Sequence, residues 1–270
     1  MPPKTSRRRI RNILKRLGSM LCLLIFLTLL WKWLGDAGIS YDWHWRRIWR
    51  YFGHTGAAGF VAGPLLLGIL LTVAVTALGL MLSLLFGLAA AGLRLSPWPL
   101  CVLAARSYVA LWRNTPLLLQ LFMAYFLLSP LLGTSPFWTA SLALGLFEGA
   151  YFAEIFRAGI LGVHRNQWEA GLSLGFGLSQ TFLLVILPQA GRQMLPAITS
   201  QAIALLKDSS LVSAIAVADL TMQSQAIVAE SFLAFEVWLL AGAIYLGLAL
   251  FISLPGLWLE RHNPTDRSVA

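Results

Sequence analysis

Charge is what this sequence has least of. Only 11% of its 270 residues are Asp, Glu, Lys or Arg, and 58% are hydrophobic. An average soluble domain carries about 25% charged residues. The shortage excludes an ordinary soluble protein and leaves no room for a large soluble domain. Cysteine is almost absent: Cys22 and Cys101 lie in or beside apolar runs, which excludes a disulfide framework. The four histidines, His44, His54, His164 and His262, are scattered, so no metal site is expected. No lysine follows a glycine, so the chain lacks a Gly-x-x-x-x-Gly-Lys phosphate loop and is not expected to bind ATP. Acidic residues are scarcer than basic ones, 11 against 20, giving a net charge of +9. In a soluble protein that excess suggests nucleic acid. Here much of it sits in Arg7, Arg8, Arg9, Arg11, Lys15 and Arg16, just before an apolar run. A basic segment in that place sets topology and contacts anionic membrane lipid, so no nucleic-acid partner is expected.

What is present is apolar length. Six segments, roughly 17–34, 60–92, 108–130, 138–160, 194–216 and 235–258, reach the ~20 residues needed to cross a bilayer. The first holds Trp31 and Trp33 and no small-residue cleavage site follows it, so it reads as a retained span rather than a signal peptide. The fold expected is all-α, a polytopic membrane helix bundle of about six spans. With six spans, one side collects the N-terminal arginines, Arg94 and Arg106 in a 93–107 loop, Arg157, Arg165 and Arg192 in a 157–193 loop, and Arg261 and Arg267 in the tail. That side is expected to be cytoplasmic, with both termini on it. The opposite side receives an acidic 217–234 loop with Asp219 and Glu230. It also receives 41–54, where Arg46, Arg47 and Arg50 alternate with Trp43, Trp45 and Trp49, which predicts an amphipathic interfacial helix. The expected organisation is 1–58 (basic start, first span, external segment), 59–260 (the transmembrane domain) and 261–270 (a cytoplasmic tail). Gly145 and Gly149, and the stripe Ser83, Gly87 and Ala91, predict close helix packing rather than a ligand site.

One polar island interrupts this pattern at 165–190. A bilayer excludes it, so it must lie outside the hydrocarbon. It predicts two short helices: Asn166 is placed to cap the first with Glu169 three residues on, and Gly175 and Gly177 to end it. Ser179 is placed to cap the second and Pro188 to stop it. Trp168, Leu172, Gly175 and Phe176 recur at helical spacing and give one apolar face. A compact hairpin with an apolar stripe, set outside the bilayer, suits docking of a partner.

The island also carries Glu169-Ala170-Gly171, then Gly175, Val185 and Leu187-Pro188. Its spacing resembles the Glu-Ala-Ala…Gly…Ile-x-Leu-Pro pattern of permease subunits of ATP-binding-cassette importers, with Gly171 for Ala and Val185 for Ile. Four further stretches resemble the polar amino acid branch. They are Leu111-Trp112-Arg113-Asn114-Thr115-Pro116-Leu117-Leu118-Leu119-Gln120-Leu121-Phe122, the run from Gly149-Ala150-Tyr151 to Arg157-Ala158-Gly159, Leu187-Pro188-Gln189-Ala190, and Leu206-Lys207-Asp208-Ser209-Ser210-Leu211. Ser200 and Glu148 depart from that branch. The resemblance spans about 65–225 and leaves 1–58 outside. It implies an importer permease of the bacterial inner membrane, translocating a polar amino acid. The island would be the coupling helix, with Trp168, Glu169, Ala170, Gly171, Leu172, Gly175, Leu187 and Pro188 against a cytoplasmic ATPase. That separate subunit would hold ATP and magnesium. A second permease subunit, identical or paralogous, and a periplasmic solute-binding protein complete the expected assembly. The chain itself is not expected to be an enzyme or to bind a cofactor.

Two rival readings arise from the residues. Gly171-Leu172-Ser173-Leu174-Gly175 is a literal G-x-S-x-G, followed in order by Asp208 and His262, but no strand pattern leads into Ser173. Ionisable residues inside spans mark function by default. Glu148, Lys207 and Asp208 are therefore candidates for the translocation path, together with Gln120 of the 111–122 stretch. They would equally serve an ion-coupled secondary transporter, although such a carrier needs no docking hairpin. Lys207 and Asp208, adjacent on a helix, should point apart. Glu154 and Arg157, three apart, read as a structural pair.

Overall fold

The computed structural model describes residues 41–56 and 59–262, together with residues 25, 28, 29 and 32 of the first apolar run. Those four residues are helical. Otherwise the first expected span lies outside the described residues, as does the tail from 263. Residues 1–44 form one unit and Trp45–Ala270 another.

The second unit opens with a short helix, α1 (Trp45–Ile48), which runs on as a 3-10 turn over Trp49–Tyr51. Its inward residues, Ile48 and Tyr51, are buried in a cluster with Leu65, Leu220, Ile227 and Val237. The helix expected over 41–54 is shorter than that, and its inward side is covered by the bundle, while Trp43, Trp45 and Trp49 stay exposed. An antiparallel hairpin of β1 (Gly53–Gly56) and β2 (Gly59–Ala62) follows, the only β-structure among the described residues. It occupies 60–62, so the second span begins later than expected.

That span is α2 (Pro64–Arg94), with Pro64 in its first turn, where a missing N–H costs nothing. Next come α3 (Pro99–Arg113), α4 (Leu117–Met123) and α5 (Ser129–Leu132), with a π-helical turn at Ala124–Leu128 between the last two. The expected 93–107 loop and unbroken 108–130 span are both corrected here. The chain is already helical at 99, and α3 meets the Leu117–Leu132 segment at a bend of 103°. The bend falls at Asn114-Thr115-Pro116, because the residue before a proline is pushed out of helical backbone. Then follow α6 (Pro136–Leu161), α7 (Arg165–Ser173), α8 (Leu178–Thr181) and α9 (Leu187–Asp208). A π-turn at Phe182–Ile186 joins α8 to α9, and a 3-10 stretch, Ser209–Ile215, continues it. The described residues end with α10 (Leu220–Ser231) and α11 (Ala234–His262).

Among the described residues, α2 and α11 are each long and apolar enough to cross a bilayer, and the bent pair makes a third. The remaining expected spans, α6 and α9, carry ionisable residues and depend on burial instead. α2 and α6 form the most extensive pair. Their small residues permit it: a Cβ on Gly145 would stand 2.6 Å from the Leu82 Cβ, and one on Gly87 2.6 Å from the Phe152 Cβ. The small-residue stripes are packing devices, as expected. The acidic 217–234 loop is corrected to a helix. Asp219, fully buried, caps α10 by accepting from the Met222 N–H at 2.8 Å, and its other oxygen accepts from the Tyr245 hydroxyl at 3.2 Å.

Candidate functional site

Two groups of residues stand out, one at each end of α9. The first is the hairpin at its start. α7 ends in a Schellman motif: the Phe176 N–H donates to the Gly171 carbonyl at 3.2 Å and the Gly175 N–H to the Leu172 carbonyl at 3.0 Å. Gly175 sits at φ 85°, in the left-handed region that glycine enters without steric cost, as its place in the sequence predicts. The caps differ from expectation. His164 rather than Asn166 precedes α7, with no side-chain cap. Gly177 precedes α8, and the Gln180 side chain accepts from its N–H at 2.9 Å. Nor does Pro188 stop a helix. It lies in the first turn of α9, and the wide π-turn just before it absorbs the missing hydrogen bond.

α7 is clasped to the root of α9 at three points. Trp168 stacks on Phe182 with centroids 6.2 Å apart. A Cβ on Gly171 would stand 2.6 Å from Thr181 Cγ2, so the Gly at this position is required by the fully buried Thr181 that crosses it. Gln189 donates to the Gln167 side chain at 3.1 Å. The predicted apolar face is therefore divided. Trp168 turns toward the bundle, packing beside Phe156, Val163 and Ile186. Leu172, Leu174, Leu178 and Leu187 face outward, with Leu174 75% exposed. Glu169 and Ala170 are exposed beside them, and Glu169 pairs with Arg165 at 3.1 Å on the same surface.

The hydrolase reading fails on geometry. Ser173 lies in a helix and donates to its own Glu169 carbonyl at 2.8 Å. Asp208 ends the 22-residue α9, roughly 33 Å along the axis from its start at 1.5 Å per residue.

The second group lies at that far end. Glu148, halfway along α6, is fully buried and accepts from the Gln201 amide at 2.5 Å. The Asp208 side chain adjoins the same carboxyl. Lys207 is exposed while Asp208 is half-buried, so the two neighbours do point apart, and Asp208 rather than Lys207 lies beside Glu148, whose Oε1 has no hydrogen-bond partner. Gln201 is a site residue that the sequence reading missed. Its signal was available: 201 and 208 are seven apart and share a helix face. Gln120 is not brought into this group. Its amide donates to the Trp112 carbonyl at 3.0 Å and to the Thr115 hydroxyl at 2.5 Å, closing the elbow between α3 and α4.

Glu154 and Arg157 pair at 2.9 Å as expected, and Arg94 at the end of α2 takes the other Glu154 oxygen.

Comparison with known proteins identifies this architecture. Residues 83–262 match the family described as "binding-protein-dependent transport system inner membrane component". The glutamine transport system permease protein GlnP of Escherichia coli K12 is 38% identical over 202 residues, 73% of this chain and 92% of GlnP. The octopine transport system permease protein OccM of Rhizobium radiobacter is 39% identical over 224 residues, 74% and 89% of the two chains. The crystal structure of an amino acid ABC transporter with histidines superimposes with a TM-score of 0.68 at 35% identity, covering 74% of this chain and 94% of that one. The MetNI methionine ABC transporter, at 20% identity and a TM-score of 0.63, shares the fold.

Proposed function

We propose a working cycle from the premise that the chain belongs to the binding-protein-dependent transport system inner membrane components. It is the permease subunit of an ATP-driven importer that carries a polar amino acid across the inner membrane, as its relatives' names indicate. None of these relatives supports the ion-coupled alternative.

In this reading the 165–190 hairpin and both termini face the cytoplasm. α7 is the coupling helix. Glu169, Ala170, Leu172 and Leu174 dock on a separate ATPase subunit, which binds ATP and magnesium and performs the hydrolysis. A second permease subunit completes the pore, and a solute-binding protein delivers cargo on the opposite side. The observation that carries this is the clasp. α7 is fixed to the segment that leads into α9: Trp168 on Phe182 of the π-turn, Gly171 against Thr181 of α8, and Gln167 with Gln189 in the first turn of α9. Packed side chains of this kind move as one body. A displacement of α7 by the ATPase is therefore delivered to the far end of α9, where Lys207 and Asp208 lie. Lys207, exposed on the single chain, faces the translocation path, and Glu148 with Gln201 and Asp208 sets the position of α9 against α6. The pore opens outward when the ATPases close and inward when they part.

The test is reconstitution with the ATPase. Labelled polar amino acid should enter vesicles only with ATP, and the ATPase should copurify with the wild-type chain. Lys207→Met should leave assembly intact while changing uptake or the range of amino acids accepted. Full transport at unchanged specificity by that variant removes Lys207 from the path. A single cysteine at position 174, in a background lacking Cys22 and Cys101, should react with an impermeant maleimide only after lysis. Labelling in whole cells reverses the orientation.

A further inference from the structure

The membrane-exit ends of α2 and α6 meet α3 around a cavity of about 410 Å³ lined by Arg94, Arg106, Arg113, Tyr151 and Glu154. Its electrostatics are unbalanced. Arg157, Arg106 and Arg113 all lie close enough to Arg94 for their charges to act on it. Four guanidinium groups thus surround one carboxylate, and that carboxylate is already used. One Glu154 oxygen is taken by Arg94 and the other by Arg157. Arg106 and Arg113 have no carboxylate partner among the described residues. They are seven apart, so they share one face of α3. Arg113 is held in place by stacking over the Tyr151 ring, 4.9 Å from its centroid. Arg106 and Arg113 are exposed at the rim of this cavity, so water screens much of their mutual repulsion, and an anion seated between them would relieve what remains.

We infer that this cavity is a phosphate site, formed by the Arg106 and Arg113 forks with Arg94 behind them. Two forks need more acceptor oxygens than a single carboxylate offers, and a phosphate group supplies them. The level is that of a phosphate layer. Arg94 is the last residue of α2, and Arg157 lies four residues before the end of α6. A phosphodiester of an anionic phospholipid headgroup and a free phosphate share this chemistry. Nothing in the coupling mechanism uses Arg106 or Arg113, so the site stands apart from the proposed transport cycle.

The experiment measures binding to the purified full-length chain by native mass spectrometry and thermal shift. The probes are phosphatidylglycerol, diacylglycerol and inorganic phosphate. Phosphatidylglycerol is expected to bind and stabilise. Arg106→Gln/Arg113→Gln should weaken that binding about tenfold or more, with the unliganded melting temperature unchanged. Inorganic phosphate that competes with and equals the lipid identifies a free anion as the occupant and still supports the site. Should the Gln pair not fold, Arg106→Lys/Arg113→Lys keeps the charge and removes the forks, and it should still bind several-fold more weakly. Equal binding by wild type and variant, or equal stabilisation by diacylglycerol, which lacks phosphate, overturns the proposal. So does displacement of the lipid by a polar amino acid that lacks phosphate, which would make the arginines a cargo site.

Discussion

The two ends of α9 invert the usual rule of burial in opposite senses. At its start, outside the hydrocarbon, leucines are exposed: Leu172, Leu174, Leu178 and Leu187 face outward from a polar hairpin. At its far end, inside the bundle, a glutamate is fully buried with Gln201 and Asp208 around it. Apolar surface in water calls for a partner chain. Polar groups in an apolar interior call for one another, or for a passing polar solute. The comparison therefore separates an exposed apolar surface, proposed to dock another subunit, from a buried polar knot in which one Glu148 oxygen has no hydrogen-bond partner. Mutations at the first should affect assembly and coupling with little change in the fold. Mutations at the second should affect the fold first.

The largest effect is expected at the hairpin. Glu169→Lys reverses a charge on the proposed docking face, and Gly175→Val places a branched side chain at φ 85°, costing roughly 1–2 kcal/mol locally. Either change should reduce ATP-dependent uptake by about tenfold or more, the equivalent of some ~1.4 kcal/mol of lost docking. Membrane levels should stay near wild type. Uptake and ATPase copurification measured together check this, and survival of both would remove the hairpin from coupling.

Next is the buried knot. Gln201→Leu removes the donor to Glu148 and should destabilise the bundle by about 1–3 kcal/mol. Adding Glu148→Leu should restore much of that loss, because the buried carboxyl that lost its donor is then gone as well. A detergent melting series on the two single variants and the double variant measures it. Strict additivity would mean the two side chains do not depend on each other.

A third change joins the two ends' logic at one residue. Gly171→Ala supplies the alanine typical of the resembling pattern, yet its Cβ would meet Thr181 at 2.6 Å. It should cost about 1–3 kcal/mol through overpacking, and Thr181→Ala should relieve it. A neutral Gly171→Ala would show that α7 is not clasped. The smallest effect belongs to Arg165→Ala. It removes an exposed ion pair four residues apart, and stability should change by less than about 0.5 kcal/mol.

The sequence made one of these ends far easier to read than the other. The hairpin is a polar island in apolar surroundings, and its turn needs a glycine at 175, so local rules reach it. So do the Glu154–Arg157 pair and the small stripes that bring α2 onto α6. The knot joins α6 to α9 across 53 residues, and no local rule states which buried amide meets which carboxylate. Gly171 likewise reads as a weakness until Thr181 is seen to fill the space. The β-hairpin at 53–62 was hidden by its glycines and its brevity, and Asp219 by a charge that suggested solvent. The elbow at Asn114-Thr115-Pro116 was legible in its proline, but hydropathy runs straight through it.

Each of the two π-turns, Ala124–Leu128 and Phe182–Ile186, ends two residues before a proline, Pro130 and Pro188. Such a turn holds one residue more than an α-turn would. If it tightens, everything downstream rotates by about 100° and shifts by about 1.5 Å, the increments of a single helical residue. In the second segment that change of register would fall between the hairpin and the lysine at the far end of the helix, so the two move as one body only while the turn keeps its extra residue.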